Sequence, residues 1–155
     1  MKLRVIALGH RMPAWVAAGW EDYARRMPRE FSLELVELKP EPRDRGKTLQ
    51  QLLAIEALRI AAACKDVRVV ALDEHGQPWT TRQLADALSS WRDEARATAF
   101  VIGSADGLSD DIKRNASAVV ALSALTLPHG LVRIVIAEQL YRAVSLLLRH
   151  PYHRE

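Results

Sequence analysis

Phe100-Val-Ile-Gly-Ser-Ala-Asp-Gly-Leu108 decides the fold: a short apolar run breaks at Gly103, and a second glycine follows four residues later. A brief apolar run bounded by turn residues reads as a buried strand. Ser109 then stands where a helix N-cap belongs, with Asp110 and Asp111 in the positive first turn. Strand, glycine turn and helix start in that order are the repeating unit of a parallel sheet flanked by helices.

The same alternation extends in both directions. Leu3–Leu8 reads as a buried strand ending at Gly9, and Val16, Trp20, Tyr23 and Met27 share one face of a helix opening near Pro13. Phe31–Leu38 alternates apolar and polar residues as a half-exposed strand does. Prolines and glycine make Lys39–Lys47 a loop, and its Lys39, Arg43, Arg45 and Lys47 make it the most basic short stretch, a candidate contact for RNA backbone. A helix over Thr48–Cys64, a strand over Val67–Leu72 and a polar loop over Asp73–Trp79 come next. Thr80 and Gln83 match a capping box for a helix reaching Trp91. Beyond the quoted stretch lie a brief strand at Ala118–Leu122, a loop, an apolar helix over Leu131–Arg149 and the polar terminus His150-Pro-Tyr-His-Arg-Glu155. The class is α/β with a largely parallel sheet, and the absence of repeats or linkers predicts a single domain over residues 1–155.

Composition narrows the function. The chain is 49% apolar and 26% charged, which fits a packed core and not a disordered segment. A net charge of +3, carried mostly by arginine, fits a nucleic-acid partner and equally a coding bias toward arginine. The lone Cys64 excludes an internal disulfide and lies in the apolar stretch Ile60–Cys64, where a small core residue is expected. No leader-like segment and no membrane-length apolar run is present, so a cytoplasmic protein with no membrane partner is expected.

Three constellations could carry chemistry. Gly103–Gly107 is either a connection or a ligand turn; it lacks the lysine of a phosphate loop and the spacing of a dinucleotide fingerprint. The loop Leu122-Ser-Ala-Leu-Thr-Leu127 is mostly apolar, with Ser123 and Thr126 as its polar groups, and suits an adenine ring with a thioether flank. On the last helix, steps of about 100° gather Glu138, Arg142, Ser145 and Arg149 into one stripe, leaving most of the circumference apolar. That stripe is either a solvent edge or a support for the tail that follows it. One sheet face needs an apolar arc only roughly 100° wide, so a homodimer is expected to cover the remainder. His129, His150 and His153 match no zinc spacing, and no metal is expected.

The chain resembles the small bacterial RlmH-type methyltransferases of the SPOUT superfamily, which act on a pseudouridine of the large-subunit ribosomal RNA. The resemblance spans essentially the whole chain. It rests on Met1–Gly9, Met12-Pro-Ala-Trp15, Tyr23–Arg26, Leu72-Asp73, Pro78-Trp79, Ile102-Gly103, Leu122–His129, Leu140-Tyr-Arg142 and His150–Glu155. It implies an α/β knot fold with a C-terminal trefoil knot, a homodimer, and S-adenosylmethionine at Leu72, Gly103, Leu122, Ser123, Ala124, Leu125, Thr126 and Leu127. It further implies 23S ribosomal RNA as the partner. A chain of 155 residues has little room for a separate RNA-binding domain, so the assembled ribosome is the expected substrate, with free RNA as the alternative. His153 is then the candidate base, Arg154 stabilises the ring anion or holds a phosphate, Tyr152 stacks on or hydrogen-bonds the base, and Glu138 and Arg142 orient them. The family's turn usually carries two adjacent glycines, whereas here the second is Ser104. The rival readings are another SPOUT enzyme acting on transfer RNA and a non-catalytic RNA-binding module.

Overall fold

The computed structural model describes residues 1–44 and 46–153, with the backbone alone for His153. Five strands alternate with five helices: β1 (Lys2–Leu8), α1 (Ala14–Ala24), β2 (Ser32–Leu38), α2 (Leu49–Ala63), β3 (Arg68–Pro78), α3 (Thr81–Arg92), β4 (Thr98–Ile102), α4 (Asp110–Asn115), β5 (Ala118–Ala121) and α5 (His129–Leu147), with a closing 3-10 turn at Pro151–His153. The sheet runs in the order β2-β1-β4-β3-β5, and every neighbouring pair is parallel.

Alternation along each strand divides the core between the two faces of the sheet. Leu3, Val5 and Ala7 of β1, Phe100 and Ile102 of β4 and Val70 and Leu72 of β3 join one cluster with residues of α1, α3 and α5. Ile6, Leu8, Ala99, Val101 and Ala71 point the other way, toward Ile60 of α2 and Ile112 of α4. β4 is buried at every position, as a central parallel strand must be. The half-polar β2 lies at the sheet edge, where its exposed residues meet solvent.

Local signals set the helix starts. Thr48 and Thr80 each form a reciprocal capping box with the glutamine three residues on, and Ser109 caps α4 through the Ile112 amide. Each such cap is worth about 1 kcal/mol.

Several boundaries differ from the sequence reading, and α1 ends at Ala24, short of the Met27 placed on its face. β3 runs on through the stretch expected as a polar loop: after an irregularity between Leu72 and Gln77 it pairs again with β5, Pro78 opposite Ala121. A Cβ at Gly76 would stand 2.8 Å from the Val119 backbone, so the glycine permits this approach. α5 begins at His129 and ends at Leu147, two residues earlier at each end than expected. Arg149 takes a left-handed φ of 55° and turns the chain away, and the His150 amide donates back to the Ser145 carbonyl at 2.8 Å.

α1 and α3 flank α5 on the sheet. They cover much of the circumference that the sequence reading left for a second subunit. What remains outermost is the half-buried row Leu131, Val135, Glu138 and Arg142.

Candidate functional site: a cavity at the strand ends and a tail cluster

A cavity of about 390 Å³ opens at the carboxyl ends of β3, β4 and β5, where open α/β sheets hold their ligands. Of the positions expected at the cofactor, Leu72, Gly103, Leu122, Ser123, Leu125, Thr126 and Leu127 line it. Ala124 does not; it is exposed, in a tight turn in which the Leu125 amide donates to Ser123 Oγ at 2.9 Å. The loop is moored to the β3 extension by Thr126, whose hydroxyl donates to Glu74 Oε2 at 3.0 Å.

The Gly103–Gly107 turn forms one wall. A Cβ at Gly103 would lie 2.4 Å from the Gly107 carbonyl oxygen and 3.0 Å from Leu108, so glycine there is required for turn closure itself. Ser104 lines the cavity, but its hydroxyl is engaged behind the turn, donating to Glu56 Oε1 at 3.0 Å and accepting from Arg43 Nη2 at 2.8 Å.

His129 and Arg133 were not among the expected site residues. Arg133 is only 1% exposed; it donates through Nη2 to the Gly9 carbonyl at 2.9 Å, through Nη1 to Glu37 at 2.7 Å and through Nε to His129 Nε2 at 3.0 Å. Because a guanidinium only donates, Nε2 must accept, which puts the imidazole proton on Nδ1, 3.0 Å from the Gly103 carbonyl. Burial, then the Arg133 charge, lowers the His129 pKa and keeps the ring neutral. The exits of β1, β2 and β4 are thereby tied to the start of α5. The sequence block ending in His129 was conspicuous; Arg133 passed as one more charged residue on an apolar helix.

The tail forms a second cluster. The 3-10 turn folds Tyr152 back onto α5, its ring 4.5 Å from that of Tyr141 and 5.0 Å from the Arg142 guanidinium. Its hydroxyl donates to Glu138 Oε1 at 3.2 Å, and Glu138 pairs with Arg142 at 2.6 Å. Burial first, with the Glu138 charge in support, pushes the Tyr152 pKa up to about 12, so its phenol is a donor at working pH and never a base. Glu138, Arg142 and Tyr152 are thus brought together. The side chain of His153, and all of Arg154, lie outside the described residues. His129 at the cavity and Glu138 in the cluster are nine residues apart on α5, about 13 Å along its axis.

Two cations of the basic loop offered to RNA are engaged within the protein, while Lys39 is exposed. Arg43 is committed to Glu56, Ser104 and Asp106, and Lys47 sits 3.4 Å from Glu41. Arg45 lies outside the described residues. Among the described residues no cluster of three or more potential metal-binding side chains occurs, and no helix is long and apolar enough to cross a membrane.

Comparison with known proteins bears directly on this arrangement. The family described as "Predicted SPOUT methyltransferase" matches residues 1–153. A protein of Nitrosospira multiformis named ribosomal RNA large subunit methyltransferase H is 57% identical, over 99% of both chains. Its namesake in Paraburkholderia xenovorans is 52% identical over the same share. The crystal structure of a probable methyltransferase from Bordetella pertussis Tohama I shares the fold at a TM-score of 0.62, with 20% identity, over 92% of this chain and 95% of that one. This chain belongs to the SPOUT methyltransferase family.

Proposed function

We propose that this protein methylates N3 of a pseudouridine in 23S ribosomal RNA, using S-adenosylmethionine, as a cytoplasmic homodimer acting on the assembled ribosome. The observation that carries the reading is the cavity at the strand ends, walled by Gly103–Gly107 and by the Leu122–Leu127 loop. Its size lies within the range of small-molecule sites, and its apolar loop with a few hydroxyls and carboxylates suits a nucleoside bearing a thioether arm. The names of the full-length relatives support the RNA substrate.

S-adenosylmethionine supplies the methyl group as a sulfonium cation. The chain's residues then have two tasks: to hold the acceptor nitrogen in line, and to take its proton. N3 of pseudouridine is an imide N–H and a poor nucleophile until that proton leaves. His153 is the proposed acceptor, since an imidazole titrates near the working pH. Arg154 is assigned to the negative charge developing on the ring. Tyr152, held protonated between Arg142 and Glu138, sets the path of the tail. The separation of cavity and tail cluster along α5 favours a site built from two subunits, the cofactor loops of one facing the tail of the other. The outermost row of α5, with Leu131 and Val135, is the proposed dimer surface.

Two measurements test this. Calorimetric titration with S-adenosylmethionine is expected to show binding; no binding leaves an RNA-binding module as the reading. Methyl mapping after incubation with free 23S RNA, subunits, 70S particles and transfer RNA is expected to mark only 23S RNA, within assembled particles. Methylation confined to transfer RNA would overturn the substrate assignment.

A further inference from the structure

Glu56 sits in the core row of α2, four residues after Leu52 and four before Ile60, and it is 1% exposed. A carboxylate so placed must be paired, because an isolated buried charge costs several kcal/mol. Every acceptor position is taken. Glu56 Oε2 receives Arg43 Nη1 at 2.7 Å and the Glu41 amide at 3.0 Å; Oε1 receives Ser104 Oγ at 3.0 Å and Arg43 Nη2 at 3.2 Å. Arg43 is equally committed, with Nη2 on Ser104 Oγ at 2.8 Å and Nε on Asp106 Oδ2 at 3.1 Å. Three segments remote in sequence therefore meet: the loop at 41–43, the middle of α2, and the turn walling the cavity.

We infer that Glu56 and Arg43 position the Gly103–Gly107 turn for cofactor binding, with Ser104 as their handle on it. The inference rests on the reading of the cavity as the S-adenosylmethionine site. α2 is the rigid partner, fixed by its capping box and by Leu52 and Ile60 in the core. The turn has little order of its own: one internal hydrogen bond, from the Gly107 amide to the Ser104 carbonyl at 2.9 Å, closes it. His129 holds it from the α5 side, and the Glu56–Arg43 pair from the α2 side. A wall ordered before the ligand arrives removes the ordering cost from binding. In place of the second glycine common in the family, Ser104 supplies the hydroxyl through which the buried pair grips the turn.

The test measures cofactor affinity, steady-state kinetics and thermal midpoint for Ser104→Ala, Asp106→Asn, Arg43→Lys and Glu56→Gln in the full chain. Ser104→Ala is expected to raise the dissociation constant and KM for S-adenosylmethionine by roughly tenfold, with kcat at saturating cofactor retained and the midpoint little changed. Arg43→Lys keeps the charge but loses the two-pronged grip and is expected to weaken binding further. Glu56→Gln combined with Ser104→Ala is expected to be no worse for affinity than Glu56→Gln alone, because both cut the same connection. Should Glu56→Gln fail to fold, Ser104→Ala and Asp106→Asn carry the test. If wild type binds and both of these bind equally well, the network is merely structural and the inference is overturned. If wild type itself does not bind, the cofactor reading beneath the inference is what has failed.

Discussion

The two ends of α5 are built in opposite ways. At the first end, a buried arginine and a neutral imidazole bond to backbone carbonyls of two strand exits, and nothing there can move without breaking β1 or β4. At the far end, Glu138, Arg142 and Tyr152 bond to one another and to Gln139, side chain to side chain and half-buried, beside a chain that has just turned through a left-handed residue. The difference is one of rigidity: side chains fixed to backbone hold a wall, whereas side chains fixed to side chains can regroup around an arriving base. The proposed acceptor, a base within ribosomal RNA, calls for such a division, with a rigid wall for the proposed cofactor and an adaptable reach toward the target.

The largest expected effect lies at the rigid end. Arg133→Met removes a buried cation and takes the Arg133 bond away from the Gly9 carbonyl and from His129 Nε2. Glu37 is partly exposed and regains water, so the expected loss is about 3 kcal/mol of stability, the low end of the cost of a severed buried pair. For a chain of this size that lowers the thermal midpoint by roughly 6–12 °C, which calorimetry would measure. A shift under 2 °C would show that the buried network is dispensable.

The comparison also explains what could be read in advance. β1 and β4 were legible because each is a short apolar run closed by a glycine, too short for a helix, and the helix caps at Thr80 and Ser109 because a cap is local chemistry. The cavity wall was partly legible, since Gly103 and the Leu122–Leu127 loop announce turns. The second pairing of β3 was hidden because it depends on β5, more than forty residues away. Glu56 and Arg133 were hidden for the same reason: each is an ordinary charged residue until remote partners assemble around it. The one local clue to Glu56, a carboxylate between Leu52 and Ile60 in the core row, was open to view in the helical spacing.

The second effect separates the two ends by lesion. Gly103→Val drives a side chain into the Gly107 carbonyl and is expected to abolish cofactor binding. A chain ending at His150 is expected to bind cofactor and transfer no methyl group. After subunit exchange between the two variants, sites shared across a dimer would restore roughly a quarter of wild-type activity, since half the dimers are mixed and each has one intact site. No recovery, with heterodimers confirmed by mass spectrometry, would place each tail on its own subunit's cavity.

A smaller effect is expected from Tyr152→Phe. It keeps the ring between Tyr141 and Arg142 but loses the bond to Glu138, worth about 1 kcal/mol at most in this half-buried setting. Cofactor affinity should be unchanged and kcat should fall several-fold. Because the phenol titrates near 12, wild type and variant should show the same pH dependence below pH 9. A change in cofactor affinity would mean that the two ends of α5 communicate.

The smallest effect is a pH dependence confined to the rigid end. Burial and the Arg133 charge lower the His129 pKa below the ordinary value near 6.5, against the opposing pull of the Gly103 carbonyl and Glu37. A group with a depressed folded-state pKa favours the fold fully above its unfolded value, and this contribution is lost as pH falls through the folded value. Protonation at Nε2 would set two cations face to face, expel Arg133 from its bond and slacken the hold on Gly103. Cofactor affinity and thermal midpoint should therefore both be flat above pH 7; the midpoint should decline as pH falls below about 6.5, and cofactor affinity should follow at the lower pH where the folded ring protonates. His129→Asn offers an amide N–H to the Gly103 carbonyl without a titrating ring, so its affinity should be lower at pH 7.5 but flatter toward acid. Subtracting the variant's profile from that of wild type removes the common contribution of the other histidines. An unchanged acid decline in the variant would assign it to groups other than His129, and the rigid end would then be insensitive to protons.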